Sequence, residues 1–383
     1  MRHTRRSLDG DSNYVSSEVP SGETLETPAE SYYRGLVLAL GKATVTKIRV
    51  YLDINHWIAL RDVMLGRPRD PRHVEVYERL RQLVESGRLV CPVSECVFFE
   101  IFKQADRQTR LATARVADQL SHGITLQFSD HRLQTEVIHF LRQCSGKGDS
   151  LYPLEQLVWT KAAHVLGRTY PVFAGLPPDE SMHLQKMATD MLWECTLEQL
   201  VDALADSRPV STIYTEESAK ELNKGKIAHA HEIKTYEDAF LAELGGVVDL
   251  YTSTFAKMMR WMYVKDTGRA LAQGDMECDE PGKLMRNLIF HAFRLGRITT
   301  QLPSFMIHSH LHATIRFDRP RKLRPNDLWD FRHAVAGVPF CDIFVSDRGL
   351  ASLVTSPRLA FDKLYNTRVV TGTHQLLDVL PEP

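Results

Sequence analysis

The sequence predicts an α/β protein: a parallel sheet flanked by helices and carrying a large all-helical insertion. Three observations support this class. Strand and helix patterns alternate from Lys47 to about Leu120, and a second alternation closes the chain after Asn326. Between residues 129 and 315, β-signals are few while long amphipathic segments follow one another. Strand, helix, strand, helix in that order favours parallel pairing, because parallel neighbours need a crossover connection that a helix supplies.

Residues 1–30 carry almost no large aliphatic side chains and many Ser, Glu, Gly and Pro, so a disordered tail is expected there. A short apolar pattern from Tyr32 to Leu40 predicts a helix. Ile48 to Leu52 is a β-prone run ending on Asp53, and Trp57, Ile58, Leu60, Val63 and Met64 then give a helical pattern to about Leu65. After a Gly/Pro loop, Val76, Leu80, Leu83 and Val84 mark a helix over 72–86 that Gly87 ends. Arg88 to Val93 reads as the second strand, and Ser94 as the N-cap of one long helix reaching Leu120. Gly123 to Phe128 is a third, short strand. Residues 31–128 thus form the first part of the α/β domain, 129–315 the insertion, and 316–383 the second part. Within the insertion, helices are expected at 131–143, 151–166, 179–204, 231–264, 282–296 and 303–315. Beyond it come a helix from Asn326 to Ala336, a strand from Asp342 to Asp347 and a helix over 348–355. A strand at 368–370 and a last helix near Gln375 follow.

A net charge of −1 excludes a globally basic nucleic-acid binder but leaves room for a local basic surface. The six cysteines show no Cys-x-x-Cys spacing and read as reduced thiols of a cytoplasmic protein. A polar run follows the basic N-terminus where a secretory signal would have an apolar one. No apolar stretch approaches the ~20 residues that span a bilayer, so no membrane association is expected.

The chemistry-bearing residues are the carboxylates at element boundaries. Asp53 ends the first strand, Glu100 lies in the second turn of the helix after strand two, Asp327 and Asp330 lie one turn apart, and Asp347 ends the late strand. In a parallel sheet, strand C-termini and the following helix N-termini share the edge where ligands bind, so these acids converge on one cleft. Taken singly, each reads better as a helix cap, a solvated residue or an ion-pair partner; their joint placement is what favours a site. Carboxylates so crowded cannot all ionise without a cation. Oxygen donors without Cys or clustered His select Mg2+ or Mn2+. Two such ions about 4 Å apart would activate water for an in-line phosphodiester displacement.

The order Leu52-Asp53-x-Asn55, Val93-Ser94-x5-Glu100-Ile101, Asp330-x-x-His333-Ala334 and Ile343-Phe-Val-Ser-Asp347 resembles the PIN-like nuclease domain. The resemblance covers residues 48–128 and 325–380. It implies a Rossmann-like parallel sheet and four acids, Asp53, Glu100, Asp330 and Asp347, that bind Mg2+ or Mn2+ and cleave RNA endonucleolytically, in some members as toxins with antitoxin partners. Asp330 is preferred as third acid because Phe331, His333 and Ala334 continue a helix packed on the sheet. Asp327 and Asp342 also lie within reach of the third position, and one or the other is the auxiliary ligand; Asn55, His333 and Ser346 are supporting groups. The long helical insertion departs from the compact toxin-sized members.

For the nucleic acid, Arg316, Arg319, Arg321, Lys322 and Arg324 place five cations in nine residues just before the third acid. Lys103, Arg107 and Arg110 are expected to share the face of Glu100. His308, His310 and His312 lie in a helical pattern where only the first and third share a face, so they are left out of the site. The five tryptophans are expected in cores. The expected function is therefore a Mg2+- or Mn2+-dependent endoribonuclease, with DNA as the other substrate the residues allow. The alternative is a catalytically silent PIN-like scaffold that binds a protein or nucleic acid through its insertion. The insertion also offers a surface for an antitoxin-like partner or a homodimer.

Overall fold

The computed structural model describes residues 28–146, 152–173, 175–205, 213–271, 273–276 and 278–382. Most of the tail expected over 1–30 lies outside them; its last residues open a helix, Pro28–Thr44. The chain is mixed α/β and mostly helical. Six strands form among the described residues: β1 (Ile48–Leu52), β2 (Leu89–Val90), β3 (Ile124–Leu126), β4 (Trp159–Lys161), β5 (Ile343–Ser346) and β6 (Arg368–Thr371). Four of them make a parallel sheet in the order β2-β1-β5-β6.

The central strand is β1, in which Val50, Tyr51 and Leu52 are fully buried. A strand covered on both faces carries such a continuous apolar run rather than an alternating one. Its neighbours come from opposite ends of the chain. In register, Val50 faces Ile343, Tyr51 faces Phe344 and Leu52 faces Val345, while Ile48 faces Leu89. Between β1 and β5 the strand order reverses, the place where open α/β sheets form a crevice. At the other end of the same strands, Arg49 grips Asp342 with its backbone N–H, its Nε and a terminal nitrogen, at 2.8, 2.9 and 2.8 Å. Asp342 thus belongs to the N-terminal edge of the sheet.

Two buried apolar clusters result. One surrounds the parallel sheet, with Trp57, Phe98, Leu120 and Phe331 packed about β1 and β5. The other lies within the insertion, between helices Ser129–Cys144, Tyr236–Leu250, Thr252–Thr267, Glu280–Arg294 and Pro303–Phe317. Helix Pro303–Phe317 belongs to both: Ile307, Leu311 and Ile315 enter the sheet's cluster, Phe305 and Ala313 the second. Buried Glu136 fixes the start of that helix, accepting hydrogen bonds from the Ser304 N–H (3.0 Å) and hydroxyl (2.6 Å). Burial raises the Glu136 carboxyl to about 7, against the Ser304 bonds and the charge of Arg132.

Several expectations are corrected. The helix expected from Ser94 to Leu120 is two helices, Glu95–Phe102 and Arg107–Ser121. Asp106 caps the second one, accepting from the Thr109 N–H at 2.8 Å. An aspartate at such a boundary satisfies the otherwise unpaired first-turn N–H groups. The stretch 151–166 is only partly described, and its described part is not one helix. After the single turn Leu154–Leu157 it forms β4, antiparallel to β3, with Leu126 opposite Trp159. The third strand therefore joins a separate two-stranded sheet, and its Thr125 makes an isolated parallel bridge with Val93, three residues past β2. The stretch 179–204 divides at the capping box of Thr196 and Gln199. The stretch 231–264 divides at Tyr251, and a further helix, Ile213–Ala228, was not anticipated. All six cysteines are unpaired. Among the described residues no helix is long and apolar enough to cross a membrane.

Candidate functional site

The site is built where β1 and β5 end. Asp53 follows β1 directly and is nine-tenths buried. Its backbone N–H donates to Val345 O (3.3 Å), which sets it level with the end of β5. Its side chain caps helix Ile54–Met64 through the His56 N–H (3.2 Å) and lies 2.6 Å from His56 Nδ1. Burial pushes the Asp53 carboxyl up, but the bond and charge of His56, with His333, outweigh this and hold it below the usual range. Asp347 follows β5 and caps helix Arg348–Val354, accepting from the Leu350 N–H at 2.9 Å. The capping reading of both acids is therefore correct, and it is also what holds them at the edge. A carboxylate in a cap keeps an oxygen free.

Glu100 and Asp330 approach from two helices. Ser94 starts helix Glu95–Phe102, and Glu100 lies in its second turn, half-buried. Asp330 and His333 lie one turn apart on helix Pro325–Gly337. His333 is 3% exposed, and its Nε2 lies 2.8 Å from Glu100 Oε2. Its Nδ1 lies 2.7 Å from the Tyr51 hydroxyl, which lies 2.6 Å from Ser94 Oγ. A buried polar chain, Glu100–His333–Tyr51–Ser94, thus ties two helices to β1. Burial alone would depress His333, but the bond and charge of Glu100, with Asp53 and Asp330, raise it. As an imidazolium, His333 donates from Nε2 to Glu100.

Asp330 experiences the crowding most. Burial first, then the charges of Asp347, Asp327 and Glu100, lift its carboxyl to about 7, with His333 opposing. Asp327 stands at the first turn of the same helix, accepting from the Arg324 N–H (2.7 Å) with Arg321 at 3.6 Å. It contributes charge from a capping position. Asp342, expected as an auxiliary ligand, is withdrawn: it precedes β5 instead of following it, and Arg49 binds both its oxygens. Asn55 is exposed in the first turn after Asp53, and Ser346 is buried at the end of β5, opposite Thr371. Among the described residues, no three His, Cys, Asp or Glu side chains stand in a geometry that would hold a metal ion.

Of the eight expected phosphate-binding cations, Arg107, Arg110, Arg316 and Arg321 are engaged by other side chains. The helix break separates Lys103 from Arg107 and Arg110, so the three do not share one face. Arg107 pairs with Asp202, and Arg110 lies over the Phe102 ring. Arg316 pairs with Glu243 at 2.7 Å, and Arg321 faces Asp327. Arg319, Lys322 and Arg324 are exposed on a loop whose Leu323 is pinned to Asn223 by two bonds, of 2.8 and 2.9 Å. Lys103 lies against the Trp329 ring. Burial lowers its ammonium pKa, against the raising charge of Glu100.

Sequence reasoning missed Tyr51, and also Arg332, whose guanidinium carbon lies 5.2 Å from the Trp329 ring centroid. A tyrosine inside a strand carries no local sign of a polar duty, and Arg332 is one cation among many. As expected, His308 and His312 share one face of helix Pro303–Phe317, their rings tilted by 30° with centroids 4.3 Å apart. A cavity of about 450 Å3 opens at the opposite edge of the sheet, between Phe340 and Tyr365 on one side and His139 and Glu155 on the other. None of the acids lines it. Compared with protein-family models, curated proteins and solved structures, the chain matches none.

Proposed function

We propose that this chain is a Mg2+- or Mn2+-dependent endonuclease of PIN-like type, acting on RNA. The observation that carries the reading is Asp330, a carboxyl raised to about 7 by burial and by Asp347, Asp327 and Glu100 around it. Carboxylates gathered at one sheet edge at the cost of a neutralised member are the environment in which a hard divalent cation gains most. The donor chemistry suits such an ion, being all oxygen with no thiol, though no three of these side chains stand arranged to hold it. Asp53, Glu100, Asp330 and Asp347 would hold it. Asp53 and Glu100 each meet a histidine through one oxygen, Oδ1 to His56 and Oε2 to His333, and would meet the ion through the other.

Bound there, the ion supplies Lewis-acid polarisation of a phosphodiester and activation of water. The chain's own residues do the rest. His333, held by Tyr51 behind it, fixes the position of Glu100 and stores a proton at Nε2. The caps of Asp53 and Asp347 fix two further carboxylates without using both oxygens of either.

The test uses Asp53→Asn and Asp347→Asn, because asparagine caps a helix as well as aspartate and leaves the fold intact. With single-stranded RNA and Mn2+, each variant is expected to lose roughly a hundredfold or more in rate, the scale of removing one preorganised electrostatic group. Single-stranded DNA in parallel reads substrate choice. A wild type that cleaves neither polymer, or variants that cleave as well as wild type, overturns the proposal. The first of these outcomes, with a macromolecular partner retained, is what the silent-scaffold reading expects.

A further inference from the structure

Beside the acids stand two cations that no carboxylate neutralises. Lys103 Nζ lies 3.5 Å from the centroid of the Trp329 ring, and the guanidinium carbon of Arg332 lies 5.2 Å from it. Neither makes an ion pair within 4.0 Å among the described residues. Lys103 is one turn past Glu100 and feels the charges of both Glu100 and Arg332, while Trp329 and Arg332 share a face of the helix that carries Asp330. Trp329 is 5% exposed and meets Phe99 edge-on at 6.2 Å, so packing fixes its ring. Such an indole is no platform for a stacking base, because Lys103 covers it. It is instead a rigid seat for cations, which an aromatic face attracts.

A lysine and an arginine held on one aromatic ring, next to acids but paired with none, form a ready phosphate subsite. The ring limits the freedom each side chain would otherwise lose on binding. We propose that Lys103 and Arg332, seated on Trp329, clamp the phosphate backbone of single-stranded RNA beside the acidic centre. This rests on the nuclease reading for its substrate, though not for its test. It also narrows the basic surface: Arg107 and Arg316 are held by Asp202 and Glu243, while Arg319, Lys322 and Arg324 stay exposed.

The experiment measures binding without cleavage. A fluorescein-labelled single-stranded RNA is titrated in EDTA over a range of NaCl, and cleavage is assayed separately with Mn2+. Lys103→Gln and Arg332→Gln are each expected to reduce the slope of log Kd against log salt by about 0.7, the single-strand value per phosphate contact. Each weakens low-salt binding roughly three- to tenfold, and the double variant loses both contributions. Lys103→Arg keeps the slope. Trp329→Leu, which removes no charge, lowers it, whereas Trp329→Phe largely retains it. Arg107→Gln, which breaks an exposed pair with Asp202, leaves it unchanged. In cleavage, KM rises more than kcat falls.

If wild type binds and cleaves with slopes insensitive to Lys103 and Arg332, the clamp is overturned and the nuclease reading stands. If the two glutamine variants lose slope while wild type never cleaves, the clamp stands and the nuclease reading fails. A wild type that neither binds nor cleaves RNA removes both.

Discussion

Replacing Asp330 with asparagine is expected to stabilise the metal-free protein at neutral pH while removing the proposed nuclease activity. The folded carboxyl keeps its proton up to about pH 7, whereas the unfolded one ionises near 3.8. Between those values the folded state binds more protons, so its stability is fully present below the lower value and falls as pH rises towards the upper. The partly exposed carboxylate is screened, which leaves a penalty of about 2 kcal/mol, roughly half of what the shift alone would give. Asparagine carries no charge to repel Asp347, Asp327 and Glu100. In EDTA the wild-type melting temperature should therefore drop between pH 5 and pH 7.5, while that of Asp330→Asn drops less. At the upper pH the variant should melt roughly 2–3 °C higher. Added Mn2+ should stabilise the wild type there and the variant much less, because binding to the native state alone raises stability. Equal melting curves for the two proteins in EDTA, or no response of wild type to Mn2+, would remove Asp330 from the site.

The second large effect concerns the contact that sets helix Pro325–Gly337 against the sheet. Gly337 is the last residue of that helix. A Cβ there would lie 2.5 and 2.7 Å from ring atoms of Phe344 and 2.7 Å from the Tyr51 ring. Those rings are fully buried and stack across β1 and β5, 5.5 Å between centroids. Neither can give way, so the helix must. Gly337→Ala is expected to cost on the order of 1–3 kcal/mol through overpacking. The activity should fall further than that stability loss explains, because the displaced helix carries both Asp330 and His333. A shift of about 1 Å in a catalytic group costs roughly a hundredfold in rate. Gly225→Ala is the control: its Cβ would meet nothing within 4 Å, and alanine is the better helix former. The contact has no such role if Gly337→Ala melts and cleaves as wild type does.

The parts of the fold legible in the sequence were those governed by local rules. The apolar run Ile48 to Leu52, the acid that follows it, and the serine that starts the next helix are each read from a few adjacent residues. So are the late strand and Asp347. The errors fell where a local pattern admits two outcomes. Residues 94–120 are amphipathic throughout, and only Asp106 with Thr109 signals that the helix restarts. Trp159 to Lys161 lie in a helical period but pair with β3, because strand preference depends on what the segment packs against.

The site divides in the same way. The sequence by itself determined which acids end strands and cap helices, since capping is decided within one turn. Which acids meet was decided only in three dimensions. Asp342 is separated from its partner Arg49 by 293 positions, and that pairing holds it at the sheet edge opposite the other acids. His333 joins Glu100 across 233 positions and Tyr51 across 282, giving an otherwise ordinary strand tyrosine its polar duty. Lys103 and Arg332 became distinct from the other cations only once Trp329 lay between their two helices. A local motif specifies the direction and end of an element. The charge a carboxyl carries depends on burial and on neighbours brought in by the sheet, and no stretch of chain contains those.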